Sequence, residues 1–205
     1  MKDEWYGDKR DIVKWAVLLH LAKENGAQRI VQIAYYRPSK WAQILIDEKN
    51  KVIPNEVLQH FRNVSNITNM VSNPNIEIIN LLLKSRRSYF PEVLKAVEKY
   101  RDERKIIFLD PDTGLAPTNA TLKHVLPSEL NDIWQKMQGG DLLVLYQHKT
   151  TRKRNHWIEK KRKQFVAAFG IADGAAKIAY GPDIASDVVF FYCQKDNGST
   201  KKDAA

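Results

Sequence analysis

The chain has 205 residues, of which 43% are hydrophobic and 28% are charged. This composition is typical of one globular domain and excludes a disordered or fibrous protein. The single cysteine, Cys193, excludes an intramolecular disulfide and a cysteine-based zinc site. The longest apolar stretch, near residues 15–22, is too short to span a membrane, and the polar N-terminus does not resemble a signal peptide. We therefore expect a soluble, cytoplasmic protein that contacts no membrane.

Positive charge is concentrated in one segment of the chain. The formal net charge is +9, and residues 149–163 contain eight lysine and arginine residues against one acidic residue, Glu159, which gives that segment a charge of +7. The rest of the chain is close to neutral. An excess of this kind indicates a polyanionic partner.

The first half of the chain predicts alternating helices and strands. An apolar helix is expected at residues 11–26, because Asp8 or Asp11 can cap its start and Gly26 its end. The elements expected after it are a strand at 29–36, a hairpin at 44–52 that turns near Lys49-Asn50, helix and loop at 54–72, and a strand at 76–83.

The second half contains two continuous apolar runs, at 105–110 and 141–146, which are typical of parallel strands covered on both faces. The other elements expected there are helices at 91–104, 128–137 and 154–169, a loop at 112–127, and two short, antiparallel strands at 177–181 and 188–193. The alternation predicts one α/β sandwich domain, residues 1–194, with a mainly parallel sheet and a C-terminal antiparallel hairpin. A disordered polar tail is expected at 195–205.

Polar side chains follow the two best strands of the predicted sheet. Asp110 and Asp112 come directly after the first strand, on either side of Pro111, and Gln147 and His148 come after the second. Ligands of parallel sheets bind beyond the carboxyl ends of the strands. We therefore predict these four residues as a catalytic site, in which His148 could position or deprotonate a substrate. The alternative interpretation is structural. The sequence Asp-Pro-Asp-Thr-Gly is also typical of a turn, and Gln147 and His148 would then be polar because their strand ends at the surface.

The basic segment begins where the second strand ends. Its lysines and arginines can neutralise phosphates, and its tryptophan can stack on a base, so we predict that it contacts DNA or RNA. A solvated helix face is the alternative, although such a face usually mixes both signs of charge. The residues predicted to bind nucleic acid are Lys149, Arg152, Lys153, Arg154, Trp157, Lys160 and Lys161.

Two short motifs carry a resemblance to a known family. The first is the opening helix, YGDKRDIVKWAVLLHLA, with Gly7-Asp8 followed by Val13-Lys14, and the second is Asp110-Pro111 at a strand end. Together they resemble the Rossmann-like, S-adenosylmethionine-dependent methyltransferases, most closely the rRNA N6-adenine methyltransferases and the three-Cys-motif partner proteins. A similar FLDPD-x-G strand end occurs in bacterial and phage proteins.

The resemblance implies a three-layer Rossmann-like sandwich, a nucleic-acid substrate and S-adenosylmethionine as cofactor, bound near Asp8, Tyr35 and Tyr36. It also implies that Asp110 stands in the family's Asp/Asn-Pro-Pro-Tyr loop, whose side-chain oxygen accepts a hydrogen bond from the target amino group. Asp112 and Thr113 occupy the positions of the second proline and the aromatic residue. The segment after the first strand has no glycine, whereas the family has a glycine-rich turn there.

Two other function classes fit the same residues. Asp112, Gln147 and Lys149 match a glutamine variant of the PD-(D/E)xK pattern, in which a nuclease would hold Mg²⁺ and orient the attacking water. A non-catalytic nucleic-acid-binding module would need the basic segment alone. The methyltransferase interpretation requires no metal.

Overall fold

The structure is a computed structural model that describes residues 7–37, 43–149 and 156–197. Arg152, Lys153, Arg154 and the end of the predicted tail, residues 198–205, lie outside the described residues. The helices described are α1 (Lys9–Asn25), α2 (Asn55–Arg62), α3 (Arg86–Lys99), α4 (Pro127–Lys136) and α5 (Trp157–Ala167). The strands described are β1 (Arg29–Ile33), β2 (Gln43–Ile46), β3 (Lys49–Val52), β4 (Asn75–Ile79), β5 (Lys105–Leu109), β6 (Gly114–Leu115), β7 (His124–Val125), β8 (Leu142–His148), β9 (Lys177–Ala179) and β10 (Val188–Gln194).

Six strands form the central sheet, in the order β4-β1-β5-β8-β10-β9. The first four are parallel, while β10 runs antiparallel to both β8 and β9. The chain leaves β1 for β4 on one side and then crosses to β5 on the other side. The strand order therefore reverses between β1 and β5, which is where open α/β sheets bind ligands.

Helices cover both faces of this sheet and complete three layers. Helix α1 and a short 3-10 helix (Val64–Asn69) pack on one face, through residues such as Leu18, Ile67 and Phe108. Helices α3, α4 and α5 pack on the other face, around Val93 and Phe165. The predicted Rossmann-like α/β sandwich with a mainly parallel sheet and a C-terminal antiparallel hairpin is confirmed.

Local signals fix the position of α1. The side chain of Asp8 accepts hydrogen bonds from the backbone N–H groups of Arg10 and Asp11, and Gly26 ends the helix with a φ of 62°. A left-handed residue at this place costs little only when it has no side chain. Between these two caps, α1 buries Asp11 and Lys14 together with the apolar residues Val13, Trp15, Leu18, Leu21 and Ala22.

Several predicted boundaries were wrong: β1 ends at Ile33, not at residue 36, β4 ends at Ile79, not at residue 83, and the loop predicted at 112–127 contains β6 and β7. The hairpin turns at Asp47-Glu48, not near Lys49-Asn50, because these two residues adopt the positive φ angles, 49° and 62°, that a two-residue hairpin turn requires. Helix α3 begins at Arg86, not at Pro91, because the side chain of Ser85 accepts a hydrogen bond from the Ser88 N–H and caps it earlier.

Candidate functional site

The carboxyl ends of the four parallel strands define one edge of the sheet, which we call the carboxyl edge. The segments after β1, β4, β5 and β8 lie there, together with the N-terminus of α1 and the residue that precedes β10, Asp187. Strands β5 and β8 are neighbours, with Leu109 opposite Leu145. Asp110 and His148 therefore leave adjacent strands at the same edge.

A buried ion cluster occupies the reversal point between β1 and β5. The Nζ atom of Lys14 lies 2.9 Å from Oδ2 of Asp110 and 2.5 Å from Oδ1 of Asp11. Nε2 of Gln32 donates to the same Asp110 oxygen at 2.7 Å. The side chains of Lys14 and Asp110 are only 5% and 2% exposed. Asp110 is therefore held by a cation and an amide donor inside the protein.

Two pKa shifts describe the electrostatics of this cluster. Burial by itself would lower the pKa of Lys14, but the negative charges of Asp110 and Asp11 outweigh it and raise that pKa. Burial raises the pKa of Asp11 and is only partly offset by the Lys14 ammonium. Oε1 of Gln32 is buried and accepts no hydrogen bond from the described residues. The cluster thus retains acceptor capacity for a further N–H or O–H donor.

A second charged cluster links His148 to α1. Nε2 of His148 lies 3.1 Å from Oδ2 of Asp187, and its Nδ1 lies 3.1 Å from the carbonyl oxygen of Lys149. Both ring nitrogens face oxygen atoms, so both hydrogen-bonding positions of the imidazole are in contact with the protein itself.

Arg10 completes this second cluster. Its Nη2 lies 2.5 Å from Oδ2 of Asp187, and its Nη1 lies 2.8 Å from Oδ2 of Asp8. Although burial raises the pKa of Asp187, the hydrogen bonds and charge of Arg10 outweigh it and lower that pKa. Asp187 therefore stays ionised and joins α1 to the ends of β8 and β10. Neither Arg10 nor Asp187 was among the residues predicted from the sequence.

Gln147 and Asp112 have other partners. Oε1 of Gln147 accepts the backbone N–H of Leu115 at 2.8 Å, and its Nε2 donates to the carbonyl oxygens of Thr113 and His148 at 2.9 and 2.7 Å. Asp112 forms an ion pair with Arg37. Asp110, Asp112, Gln147 and His148 thus share one edge of the sheet but do not contact one another as a single cluster. The amide of Gln147 holds the loop after β5 in place.

The three residues predicted to bind a cofactor also have structural partners. Asp8 caps α1. Tyr35 is 1% exposed, and its hydroxyl lies 3.1 Å from Oε2 of Glu129. Tyr36 is partly buried, and its carbonyl oxygen accepts the N–H of Leu83 at 2.9 Å. The hydroxyl of Tyr35 and the carbonyl oxygen of Tyr36 are therefore already bonded within the protein.

Glu129 belongs to a buried arrangement that the sequence analysis missed. Its Oε1 pairs with Arg86, and its Oε2 accepts the backbone N–H of Leu126 at 2.9 Å. Arg86 also donates to the carbonyl oxygens of Thr121 and His124, at 2.7 and 2.8 Å. The only sequence signal was the position of Glu129 in the first turn of α4, which is typical of helix capping.

A cavity of about 370 Å³ opens beside the N-terminus of α1. It is lined by Gly7, Asp8, Asp11, Ile12, Trp15, Ala16, Leu19 and Met70. Its volume lies within the range of small-molecule sites. The indole N–H of Trp15 is buried and has no hydrogen-bond partner among the described residues. Asp8 therefore lies where a small molecule could bind, whereas Tyr35 and Tyr36 do not line this cavity.

The described residues do not fit a magnesium site. They contain no group of three or more His, Cys, Asp or Glu side chains that could hold a metal ion. The amide oxygen of Gln147, which the nuclease interpretation requires as a ligand, is already bonded to the backbone. No metal-dependent step can be derived from these contacts.

The predicted nucleic-acid contacts divide into exposed and structural residues. Lys160 is exposed, and Lys149 is partly exposed. Nζ of Lys161 donates to the carbonyl oxygen of Leu115 at 3.1 Å, and burial lowers its pKa. Trp157 packs against the core of the sheet. Lys161 and Trp157 therefore anchor α5 to the fold.

The charge at the carboxyl edge is nevertheless positive. Six buried or half-buried carboxylates there, those of Asp8, Asp11, Asp110, Asp112, Asp187 and Glu129, face four cations, those of Arg10, Lys14, Arg37 and Arg86, so the exposed residues decide the sign. Exposed basic residues at the same edge are Lys84, Arg87, Lys123 and Lys160. The edge can therefore attract a polyanion over a wider surface than α5 alone.

Comparison of the chain with family models and with curated proteins finds no match. Within the described residues, no helix is both long enough and apolar enough to cross a membrane.

Proposed function

We propose that this protein acts on nucleic acid as a methyltransferase-like protein and that its carboxyl edge is the working surface. One observation carries the proposal: Lys14 and Asp110, which belong to the two motifs of the resemblance and stand 96 residues apart in the chain, meet in a hydrogen bond. The contact lies at the reversal point of the strand order, where this class of sheet binds ligands.

The chemistry of Asp110 supports a role in holding an amino group. A carboxylate that accepts N–H donors from Lys14 and Gln32 is held in one orientation, and it can accept a hydrogen bond from the exocyclic amine of a base in the same way. S-adenosylmethionine would supply the methyl group when bound, and the cavity beside Asp8 has a volume within the range of small-molecule sites.

Nucleic-acid binding is supported by the charge of the carboxyl edge. The four exposed cations Lys84, Arg87, Lys123 and Lys160 outnumber the excess of two carboxylates in the ion clusters of this edge, so they set the sign of the local field. Phosphate contacts of this kind give an affinity that falls steeply with salt concentration.

A matched pair of variants tests the binding surface. The edge variant replaces Lys84, Arg87, Lys123 and Lys160 with Ala, and the control replaces Lys23, Lys95, Lys99 and Arg101, which lie toward the opposite edge, with Ala. Both variants lose four positive charges. We expect the edge variant alone to lower the slope of log affinity against log salt, by about 0.7–0.9 for each phosphate contact removed. Equal losses in both variants would show that the edge is not the binding surface.

Methyl transfer is tested separately from binding. We expect calorimetry to detect S-adenosylmethionine binding, and labelled S-adenosylmethionine to methylate total RNA or DNA in a reaction lost in Asp110→Ala and retained in Asp183→Ala, which changes an exposed carboxylate. A specific observation favours a non-catalytic binding module as the second candidate: the chain's own Lys14 already donates to Asp110. Salt-dependent nucleic-acid binding with no cofactor binding would select that candidate.

A further inference from the structure

The hairpin of β2 and β3 exposes apolar side chains without a covering layer among the described residues. All eight strand residues are exposed, and the exposed fractions of Ile44, Leu45, Ile46 and Val52 are 46%, 70%, 50% and 73%. β2 and β3 form a sheet of their own with two strands. A hairpin of two strands is marginally stable in water without further pairing or packing.

Charged residues lie on the other open strand of the hairpin and on both outer strands of the central sheet. β3 carries Lys49 and Lys51, and the two outer strands of the central sheet carry Glu77 in β4 and Lys177 in β9. Charges on an edge strand oppose its pairing with another chain. β2, with the sequence Gln43-Ile44-Leu45-Ile46, has no charged residue. Of these four edges, that of β2 is the one open to pairing.

The backbone of β2 offers its hydrogen-bonding groups at Leu45. The two-residue turn joins Ile46 to Lys49, and the pair flanking such a turn exchanges hydrogen bonds within the hairpin. Ile44, two residues away, does the same with Lys51. The N–H and C=O groups of Leu45 therefore point away from β3, toward the open edge.

The side chains around Leu45 are symmetric in sequence. An antiparallel pairing centred on Leu45 places Leu45 opposite the same residue of another copy and Ile44 opposite Ile46. Both Leu45 residues then exchange both of their backbone hydrogen bonds. A twofold axis makes such an interface self-complementary.

We propose that β2 pairs antiparallel with β2 of a second copy of this chain, about a twofold axis through Leu45. The resulting sheet has four strands, with β3 and its lysines on each outer edge. The inference is independent of the proposed function, because it uses no residue of the carboxyl edge.

Cysteine cross-linking tests the register of this pairing. Paired Leu45 residues would have Cα atoms about 5.5 Å apart, within the range of a disulfide. We expect Leu45→Cys to form a disulfide-linked dimer under mild oxidation at least about tenfold faster than Ile44→Cys, because the pairing holds two Leu45→Cys thiols together. A mixture of Ile44→Cys and Ile46→Cys should cross-link as a heterodimer. The natural Cys193 is buried and does not compete. Equal rates for Leu45→Cys and Ile44→Cys would overturn the proposal.

Sedimentation of the full chain tests the association itself. We expect a concentration-dependent dimer whose dissociation constant rises at least about tenfold in Leu45→Lys, because like charges would lie directly opposite. Val52→Lys, on the protected strand of the same hairpin, is the matched control and should leave the constant unchanged. The pairing is contradicted if the chain stays monomeric, or if the Leu45→Lys variant dimerises as well as the parent protein. The edge of β2 would then be open to another partner.

Discussion

The side-chain amide of Gln147 fills the space next to the α-carbon of Gly114. A Cβ atom built on Gly114 would lie 2.3 Å from Oε1 of Gln147, and the φ of Gly114 is 106°. The same amide bonds to the backbone on both sides of this glycine, at Thr113 and Leu115. The loop that carries Asp112 is therefore held by a close contact that requires glycine.

We expect Gly114→Ala to lower the free energy of unfolding by about 3 kcal/mol or more, because backbone strain and steric overlap add. Gly170→Ala is the control, since Gly170 has a φ of 70° but no atom within 4 Å of the added Cβ. It should cost only about 1 kcal/mol. Urea unfolding of both variants measures the difference. Equal losses of unfolding free energy would mean that the side chain of Gln147 moves away from the added methyl group at no energetic cost.

Lys14→Met should be strongly destabilising at neutral pH. It leaves Asp110 and Asp11 buried without their ammonium partner. Breaking a buried ion pair by removing one member costs about 3–5 kcal/mol. Because protonation would remove the uncompensated charge, the deficit relative to the parent protein should shrink as the pH is lowered from 7 toward 4.

A triple variant separates this electrostatic effect from lost packing. Replacing Asp11 and Asp110 with Asn in the Lys14→Met background removes the buried charges as well. We expect this protein to be more stable than Lys14→Met alone at pH 7, as judged by urea unfolding. If the triple variant were the less stable of the two, the cost of Lys14→Met would have a different origin.

Cys193 should be unreactive in the folded protein. It is the only cysteine of the chain, it is 2% exposed, and burial raises the pKa of its thiol. The thiolate is the reactive form, so both access and ionisation are suppressed. We expect iodoacetamide at pH 8 to modify Cys193 only in denaturant, whereas an added cysteine in Lys160→Cys reacts at once. Rapid labelling of the native parent protein would contradict the buried position of β10.

The sequence predicted the sheet better than it predicted the site. Continuous apolar runs identify β5 and β8 as buried strands, because side chains of both faces must be apolar when helices cover both. The same patterns do not show which polar side chains at the strand ends face each other. Asp110 and Gln147 both follow good strands, yet one pairs with α1 and the other with the loop after β5.

The missed residues have a common physical reason. Lys14 appears in the sequence as a polar position on an apolar helix, and Asp187 as a loop residue before a strand. Their partners, Asp110 and Arg10, are far away in the chain. Such long-range ion pairs leave no periodic signal, so only the packing of α1 across the sheet reveals them.

The ion pairs of Asp187 should make the free energy of unfolding depend on pH in the acidic range. The pKa of Asp187 is lowered in the folded protein, chiefly by hydrogen bonds from Arg10 acting against burial. A carboxyl group with a lowered folded pKa contributes stability above its unfolded pKa, near 3.9, and that contribution is lost as the pH falls through the folded value.

Asp187→Asn should therefore cost about 1 kcal/mol at pH 7, a small value because the side chain is 31% exposed and screened by solvent. The difference from the parent protein should shrink as the pH falls through the folded pKa of Asp187. Asp183→Asn, an exposed residue of the same loop, is the control and should show no such trend. A difference that grew on acidification would mean that Asp187 is not the acceptor for Arg10.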